Sequence, residues 1–140
     1  MKVYDAKGML LGRLATRVAK AALLGEQIAV VNCEKAIVSG KKVNTLNNER
    51  AKRNKGGYPL KSPKLPRLPD RFVRRSIRGM LPHKQARGLE AYKRIMCYRG
   101  LPAEFEKEEL IVVKDANVTK LPNLRSITVG EICKNLGGKE

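Results

Sequence analysis

The fold is decided by residues 2–33, which read KVYDAKGMLLGRLATRVAKAALLGEQIAVVNC. Residues 2–6 predict a short strand, and Lys7-Gly8 predicts a turn. Apolar residues then recur at helical spacing until Gly25, which predicts an amphipathic helix over a core. Residues 28–33 form a nearly continuous apolar run, typical of a strand buried on both faces. Strand, helix and strand in this order form a βαβ unit, so we expect an α/β protein with a parallel sheet.

The rest of the chain predicts further strands and helices of ordinary length. The strands are AIVSG (36–40), IMCY (95–98) and IVVKDA (111–116), the last preceded by an acidic surface segment at 104–110. The helices cover residues 42–54, a stretch after Asp70, residues 84–93 and residues 129–136. In the helix at 84–93, Ala86 and Leu89 are expected to face the core, together with Tyr92 or the stem of Lys93.

The net charge is the most informative property of the composition. The chain has 140 residues, with 30 Lys and Arg against 13 Asp and Glu, which gives a formal charge of +17. Residues 41–100 carry 18 basic and three acidic residues, whereas residues 101–140 are almost neutral. Solubility does not require so much charge of one sign, so we expect a polyanionic partner that binds the middle of the chain.

Other features of the composition favour an intracellular protein. Cys33, Cys97 and Cys133 lie far apart and lack C-x-x-C spacing, which favours reduced, packed thiols over a disulfide or a zinc site. No apolar run approaches the roughly 18 residues of a membrane span, so a soluble chain is expected. A transit peptide over residues 10–24 is disfavoured because Asp5 and a predicted strand precede it.

Prolines dominate the segment YPLKSPKLPRLPD at residues 58–70 and exclude both helix and central strand. Polyproline II has three residues per turn, so Pro63, Pro66 and Pro69 would share one edge of an extended rod. The leucines would lie on a second edge and Lys61, Lys64 and Arg67 on the third. The sequence leaves two alternatives open here, an ordered basic extension and a solvated linker.

The stretch RFVRRSIRGMLPHKQARG at residues 71–88 predicts a helix with two unlike faces. With Asp70 as N-cap, four arginines fall on one face, while Phe72, Val73, Ile77 and Met80 gather on the opposite face. Like charges at these spacings repel by a few tenths of a kcal/mol each, and no acid follows Asp70 until Glu90. A polyanion that relieves this repulsion is favoured over a merely solvated helix face. The arginines are Arg71, Arg74, Arg75 and Arg78.

Catalytic and cofactor chemistry has little support in the sequence. GMLLGRLA (8–15) has neither the G-x-G-x-x-G pattern nor the Walker spacing, which disfavours nucleotide binding there. His83 is the only histidine and lies among cations, so a turn or phosphate contact is favoured over general acid–base catalysis. One histidine and scattered cysteines form no recognisable metal site. Aromatic residues for base stacking are few, which favours recognition of a folded RNA by its backbone and shape.

Two long motifs carry a resemblance to a known family. They are LGRLATRVAKAALLGEQIAVVNCEKAIVSGKK (11–42) and RSIRGMLPHKQARGLEAYKRIMCYRGLP (75–102), and together they resemble the L13 family of large-subunit ribosomal proteins. The resemblance runs over most of residues 1–103. Without a bacterial-type insertion before IAVVNCEK or a long C-terminal extension, the chain is most similar to archaeal members.

The resemblance implies a three-layer α/β/α fold with a small, mostly parallel four-stranded sheet. It also implies a non-catalytic protein that binds large-subunit rRNA during assembly and needs no cofactor. The family's GMLP motif maps to residues 79–82, and its basic flank to Arg74, Arg75, Arg78, Lys84 and Arg87. Residues 43–70 lie outside the matched motifs, so RNA contacts there are inferred from composition alone.

We therefore expect one domain over residues 1–140, with a basic RNA-binding excursion at about 41–88. Its partners would be rRNA and neighbouring large-subunit proteins in the cytoplasm, without a membrane or a small-molecule substrate. An enzyme with a small Rossmann-like sheet and a membrane-surface protein remain the alternatives. The expected RNA contacts are Arg13, Lys41, Lys42, Arg50, Arg53, Lys55, Lys61, Lys64, Arg67, Arg71, Arg74, Arg75, Arg78, His83, Lys84, Arg87 and Arg99.

Overall fold

The structure is a computed structural model that describes residues 1–56, 61 and 63–138. Its strands are β1 (Lys2–Asp5), β2 (Ile28–Val31), β3 (Ile37–Ser39), β4 (Ile95–Cys97), β5 (Leu110–Ile111) and β6 (Ser126–Thr128). Its α-helices are α1 (Leu11–Leu23), α2 (Lys42–Asn54), α3 (Pro69–Gly79), α4 (Ala86–Lys93) and α5 (Val129–Asn135). Within the described ranges, no helix combines the length and apolar character needed to cross a bilayer.

Four strands form a parallel sheet in the order β4-β2-β1-β5. The central pair runs in register from Lys2 opposite Ile28 to Asp5 opposite Val31. Every residue of β2 is buried, as its unbroken apolar sequence predicts for a strand covered on both faces. The predicted α/β fold with a small, mostly parallel four-stranded sheet is confirmed.

The two faces of the sheet are covered differently. On one face, Ile28 and Val30 share the main core with the inward residues of α1, and α3 and α4 complete this helical layer. On the other face, Val3, Ala29 and Val31 pack against Phe105, which belongs to a short 3-10 helix at Ala103–Phe105. The second covering layer therefore consists of a short segment instead of long helices.

The predicted βαβ unit is present because α1 has a continuous apolar stripe. Its buried positions are spaced by three and four residues, and Leu14, Ala15 and Val18 are fully buried. The chain turns away at Gly25, whose φ of 100° lies in the left-handed region that glycine adopts readily. α1 then lies against α3 and α4, so it supports the helix that carries the arginines.

α3 begins one residue before the predicted N-cap. Leu68 is the N-cap and Pro69 is the first helical residue, so Asp70 lies in the first turn instead of capping it. Proline fits this position because its φ is already helical and its missing N–H has no partner to lose. The prediction of Asp70 as N-cap and of Pro69 as part of an extended rod is therefore wrong.

The apolar face of α3 is narrower than predicted. Val73 and Ile77 are fully buried and Phe72 is partly buried, but Met80 is 43% exposed. Met80 follows the last helical residue, and its sulfur accepts a hydrogen bond from Thr16 Oγ1 at 3.4 Å. The turn at the end of α3 thus carries Met80 out of the core to the surface of α1.

α4 is rotated relative to the prediction. Ala86 is exposed and Leu89 is 48% exposed, whereas Gly88 and Ala91 are buried. A Cβ atom on Gly88 would lie 2.1 Å from the carbonyl oxygen of Pro82. Close packing of the Gly88 backbone on the preceding turn therefore sets the orientation of the helix and directs Leu89 outward.

The C-terminal third departs most from the prediction. The strand expected over 111–116 covers only Leu110–Ile111, because the chain leaves the sheet and the Ala116 carbonyl accepts a hydrogen bond from the Leu10 N–H at 2.6 Å. β6 was not predicted, and it pairs antiparallel with β3 in a separate two-stranded sheet. The predicted helix after it is confirmed as α5, with the Thr128 hydroxyl accepting a hydrogen bond from the Glu131 N–H at 3.2 Å.

We predict that Gly88→Ala destabilises the fold strongly. The new Cβ would overlap backbone atoms of Pro82 and His83, and backbone atoms cannot move aside as the end of a flexible side chain can. Overpacking of this kind costs on the order of 1 to 3 kcal/mol or more, measurable as a lower urea midpoint. The matched control is Gly79→Ala, whose Cβ would meet nothing within 4 Å. Equal stability of the two variants would contradict the packing described for α4.

Candidate nucleic-acid interface

A concave basic surface lies between the outer face of α3 and the segment before it. It has a volume of about 460 Å³, and we call it the basic cleft. Five of its lining residues are cationic, and none of the described residues that line it is acidic. The lining residues are Lys64, Leu65, Pro66, Arg71, Arg74, Arg75, Arg78 and Tyr92.

The two-faced pattern of α3 creates this cleft. Val73 and Ile77 anchor one side of the helix in the core, so the arginines at the intervening positions project away from it. All four arginines of the predicted face line the basic cleft. The structure therefore brings together the residues that helical spacing alone had grouped.

The four arginines have different surroundings. The guanidinium of Arg74 lies 4.5 Å from the centre of the Tyr92 ring, a cation–π contact that makes Arg74 part of the packing between α3 and α4. Arg75 Nη1 donates a hydrogen bond to the Lys64 carbonyl oxygen at 3.0 Å and so ties the preceding segment to the helix. Arg71 and Arg78 are exposed and make no hydrogen bond or ion pair with the described part of the chain.

The Pro-rich segment contributes one wall of the cleft. Residues 63–67 form neither helix nor strand, and Lys64, Leu65 and Pro66 line the cleft. Lys61 is exposed, whereas residues 57–60 and 62 lie outside the described residues. Of the two alternatives for this segment, the Arg75 contact favours an ordered extension over residues 64–66.

The predicted contacts on α2 form a second basic region. Lys42 Nζ lies 3.2 Å from Glu131 Oε1, and Arg50 Nε donates to Asn135 Oδ1 at 2.7 Å. These contacts attach α2, which has no buried residue, to α5. Lys41 and Lys55 are exposed at the two ends of α2, and Arg53 is half-buried. Lys42 and Arg50 are therefore partly engaged within the protein.

The remaining predicted contacts lie away from the cleft. Arg13 Nη1 donates to the Asp115 carbonyl oxygen at 2.9 Å, and His83 Nδ1 lies 3.3 Å from the Leu81 carbonyl oxygen. Lys84 is exposed, and Arg87 lines a different groove against α1. The resemblance groups Lys84 and Arg87 with the arginines of α3, but neither residue lines the basic cleft.

Sequence reasoning missed the role of Tyr92 in the cleft. It identified Tyr92 only as a nearby aromatic or an inward residue of α4. Its place under Arg74 depends on how α3 and α4 pack, and Gly88 determines that packing. Neither periodicity nor charge along the chain contains this information.

The cysteines are free thiols with different surroundings. The pKa of Cys133 is raised to about 12, mainly by burial and to a smaller extent by the carboxylates of Asp70 and Glu49. The pKa of Cys33 is raised by a hydrogen bond with Cys97 and by burial. Because the thiolate is the reactive form, Cys33 and Cys133 are inert packing groups at neutral pH.

The fold and the cleft define a basic α/β protein with a polycationic concave surface. A model of the family described as ribosomal protein L13 matches residues 1–104. Proteins named large ribosomal subunit protein uL13 are similar over nearly the whole chain. That of Methanococcoides burtonii is 42% identical over 99% of both chains, and that of Methanosarcina barkeri is 44% identical over 99% of both. That of Methanopyrus kandleri is 46% identical over 96% of this chain and 86% of its own.

The chain belongs to the ribosomal protein L13 family. This confirms the resemblance carried by the two motifs, including its archaeal character. Members are structural, non-enzymatic components of the ribosome, so the chain is a ribosome-associated protein and the enzyme alternative is set aside.

We predict that Arg74→Ala lowers the free energy of unfolding more than Arg78→Ala does. Removing Arg74 eliminates a cation–π contact worth about 0.5 to 1 kcal/mol together with the packing of its stem on Tyr92. Arg78 is exposed, so its removal should change stability by less than about 0.5 kcal/mol. Urea unfolding of both variants measures the difference. A larger loss for Arg78→Ala would contradict the distinction between the two arginines.

Proposed function

We propose that the chain binds large-subunit rRNA and that the basic cleft neutralises backbone phosphates where RNA segments pack closely. One observation carries the proposal: five cations line one concave surface without a carboxylate among the described lining residues. The contacts of Arg74 and Arg75 do not explain why all five cations are grouped without an acid, because the charges repel each other. RNA phosphates would remove the repulsion and release condensed counterions.

The different surroundings of the four arginines suggest that they have different roles in binding RNA. Arg74 and Arg75 are held by Tyr92 and by the Lys64 carbonyl, so they would present guanidinium groups in fixed positions. Arg71 and Arg78 are exposed and would contact phosphates directly. Contacts to phosphates position a protein on RNA but carry little sequence information. The cleft would thus recognise the shape of a folded RNA more than its sequence.

The proposed RNA-binding function also involves parts of the chain outside the basic cleft. Residues 1–140 would act as one domain whose basic excursion at about 41–88 contacts RNA, with Lys41 and Lys55 extending the surface along α2. The names of the relatives support a place in the large subunit. The chain would lie there beside other proteins of that subunit, in the cytoplasm. The role would be to stabilise rRNA structure during assembly, without catalysis, a cofactor or a small-molecule substrate.

We predict that Arg71→Gln combined with Arg78→Gln weakens binding to a large-subunit rRNA fragment. Two lost phosphate contacts should also flatten the slope of log K against log salt by about 1 to 2. Fluorescence anisotropy over a KCl series measures both effects. Thermal stability should stay within about 2 to 4 °C, because neither side chain is packed in the described structure.

The matched control is Lys107→Gln combined with Lys120→Gln. It removes the same charge from exposed positions outside the basic cleft. The proposal requires a clearly smaller change for this pair. Equal losses for both pairs would show that binding follows overall charge, and an unchanged slope for the cleft pair would remove the cleft from the interface.

A further inference from the structure

Two of the predicted RNA contacts, Arg67 and Arg99, do not line the basic cleft and instead line another cavity. This cavity has a volume of about 600 Å³, within the range that holds a small organic ligand. Its walls come from the turn after β2, the residues after β4, the segment before α3 and the body of α5. Its lining includes Glu34, Pro69, Thr128 and Cys133.

Close backbone approaches fix the walls of the cavity. A Cβ atom on Gly138 would lie 2.2 Å from the Arg67 carbonyl oxygen, and one on Gly130 would lie 3.1 Å from the Glu34 carbonyl oxygen. Only glycine permits the first of these contacts. The segment that carries Arg67 and the turn that carries Glu34 are therefore both held against α5 and the residues that follow it. The cavity is shaped by the fold before any ligand arrives.

The charged residues that line the cavity differ in whether they have partners within the protein. Glu131 is paired with Lys42, which lies outside the lining. Glu34 Oε2 accepts a hydrogen bond from the Gly100 N–H at 3.0 Å, and Oε1 lies 4.0 Å from the Lys35 ammonium, beyond hydrogen-bonding distance. The side chain of Glu34 is 29% exposed, and each carboxylate oxygen has two lone pairs, so Oε1 and the second lone pair of Oε2 can accept further hydrogen bonds. The cations of the lining are Arg67, Arg99 and Lys134, and the two arginines make no ion pair with described residues.

This arrangement suits a ligand with an anionic end and a flat end that donates hydrogen bonds. A phosphate would be attracted by the two arginines and repelled by the Glu34 carboxylate. A planar ring could pack against the largely apolar part of the lining, which contains Pro69, the Cys133 thiol and the glycine backbones. Guanine presents two adjacent N–H donors on its Watson–Crick edge, which match a carboxylate, whereas adenine presents one donor beside an acceptor.

We propose that the cavity binds one unstacked guanine nucleotide, with its phosphate at Arg67 and Arg99 and its base edge at Glu34. This inference rests on the proposed RNA-binding function, since an unpaired loop or bulge of RNA supplies such a nucleotide. A free guanosine monophosphate has the same chemistry. The site lies apart from the basic cleft and would add base selectivity to an interface otherwise made with phosphates.

The test compares the hexamers r(UUGUUU) and r(UUAUUU) bound to the full chain at low salt. We expect about tenfold tighter binding of the guanine hexamer, as for other paired hydrogen bonds to a base edge. Amide resonances of Gly100 and Gly130 should shift in nitrogen–proton correlation spectra. Glu34→Gln should remove the preference, because the amide oxygen can accept only one of the two guanine N–H donors and the NH₂ group would oppose the other. The matched control, Glu106→Gln, lies on an exposed part of the chain and should preserve it.

Each alternative outcome overturns the inference. Equal affinity for both hexamers, or unshifted Gly100 and Gly130 resonances, would exclude guanine from the cavity. Shifts with guanosine monophosphate but with neither hexamer would assign the site to a free nucleotide instead of RNA. The proposed function is tested separately by Arg71 and Arg78 on the rRNA fragment, so either proposal can fail while the other stands. Spectra that match the unsubstituted chain away from the cavity establish that Glu34→Gln is folded.

Discussion

Burial of Val73 and Ile77 holds α3 against α1, β4 and α5, and the position of the basic cleft depends on this packing. Fully burying each such side chain contributes about 1.5 to 3 kcal/mol. Repulsion among arginines three and four positions apart costs only a few tenths of a kcal/mol for each pair. The apolar side therefore outweighs the repulsion and can hold four arginines on one face of a helix without help from acidic neighbours.

The surroundings of α3 then distinguish the arginines that also hold the structure together from those that are free to bind a polyanion. Arg74 is stacked on Tyr92 and Arg75 is bonded to the Lys64 carbonyl, so both also maintain the walls of the cleft. Cations elsewhere are partly neutralised within the protein, as Arg17 is by Asp115 at 2.9 Å. What distinguishes the cleft is the absence of such acidic partners among its described lining residues. This local imbalance, more than the total charge, points to a polyanion.

Local patterns in the sequence predicted the elements whose contacts are close in the chain. The βαβ unit and the two faces of α3 follow from apolar spacing, and both are confirmed apart from the exposed Met80, because burial dominates their energetics. Features that depend on distant residues were missed. β6 has three residues and pairs with β3 about 90 positions earlier, so its own sequence carries almost no signal. Likewise, Leu89 faces outward because Gly88 packs on Pro82, a contact that periodicity does not encode.

Prediction of the candidate site from the sequence was limited in the same way. Charge and helical spacing identified the arginines of the cleft, but they treated all the cations between residues 41 and 88 as one surface. The structure divides them among the basic cleft, the contacts of α2 with α5, and the lining of a second cavity. Which cation lies in which group depends on tertiary packing around α5, whose residues lie far from the basic region in sequence.

The central claim is that RNA lies against the outer face of α3. Photochemical cross-linking of the chain in its complex with large-subunit rRNA, mapped by mass spectrometry, tests this most directly. The account predicts nucleotide adducts on residues 64–78 and on Tyr92, which line or border the basic cleft. Adducts confined to the acidic segment at 104–109, with none on residues 64–78 or Tyr92, would contradict it.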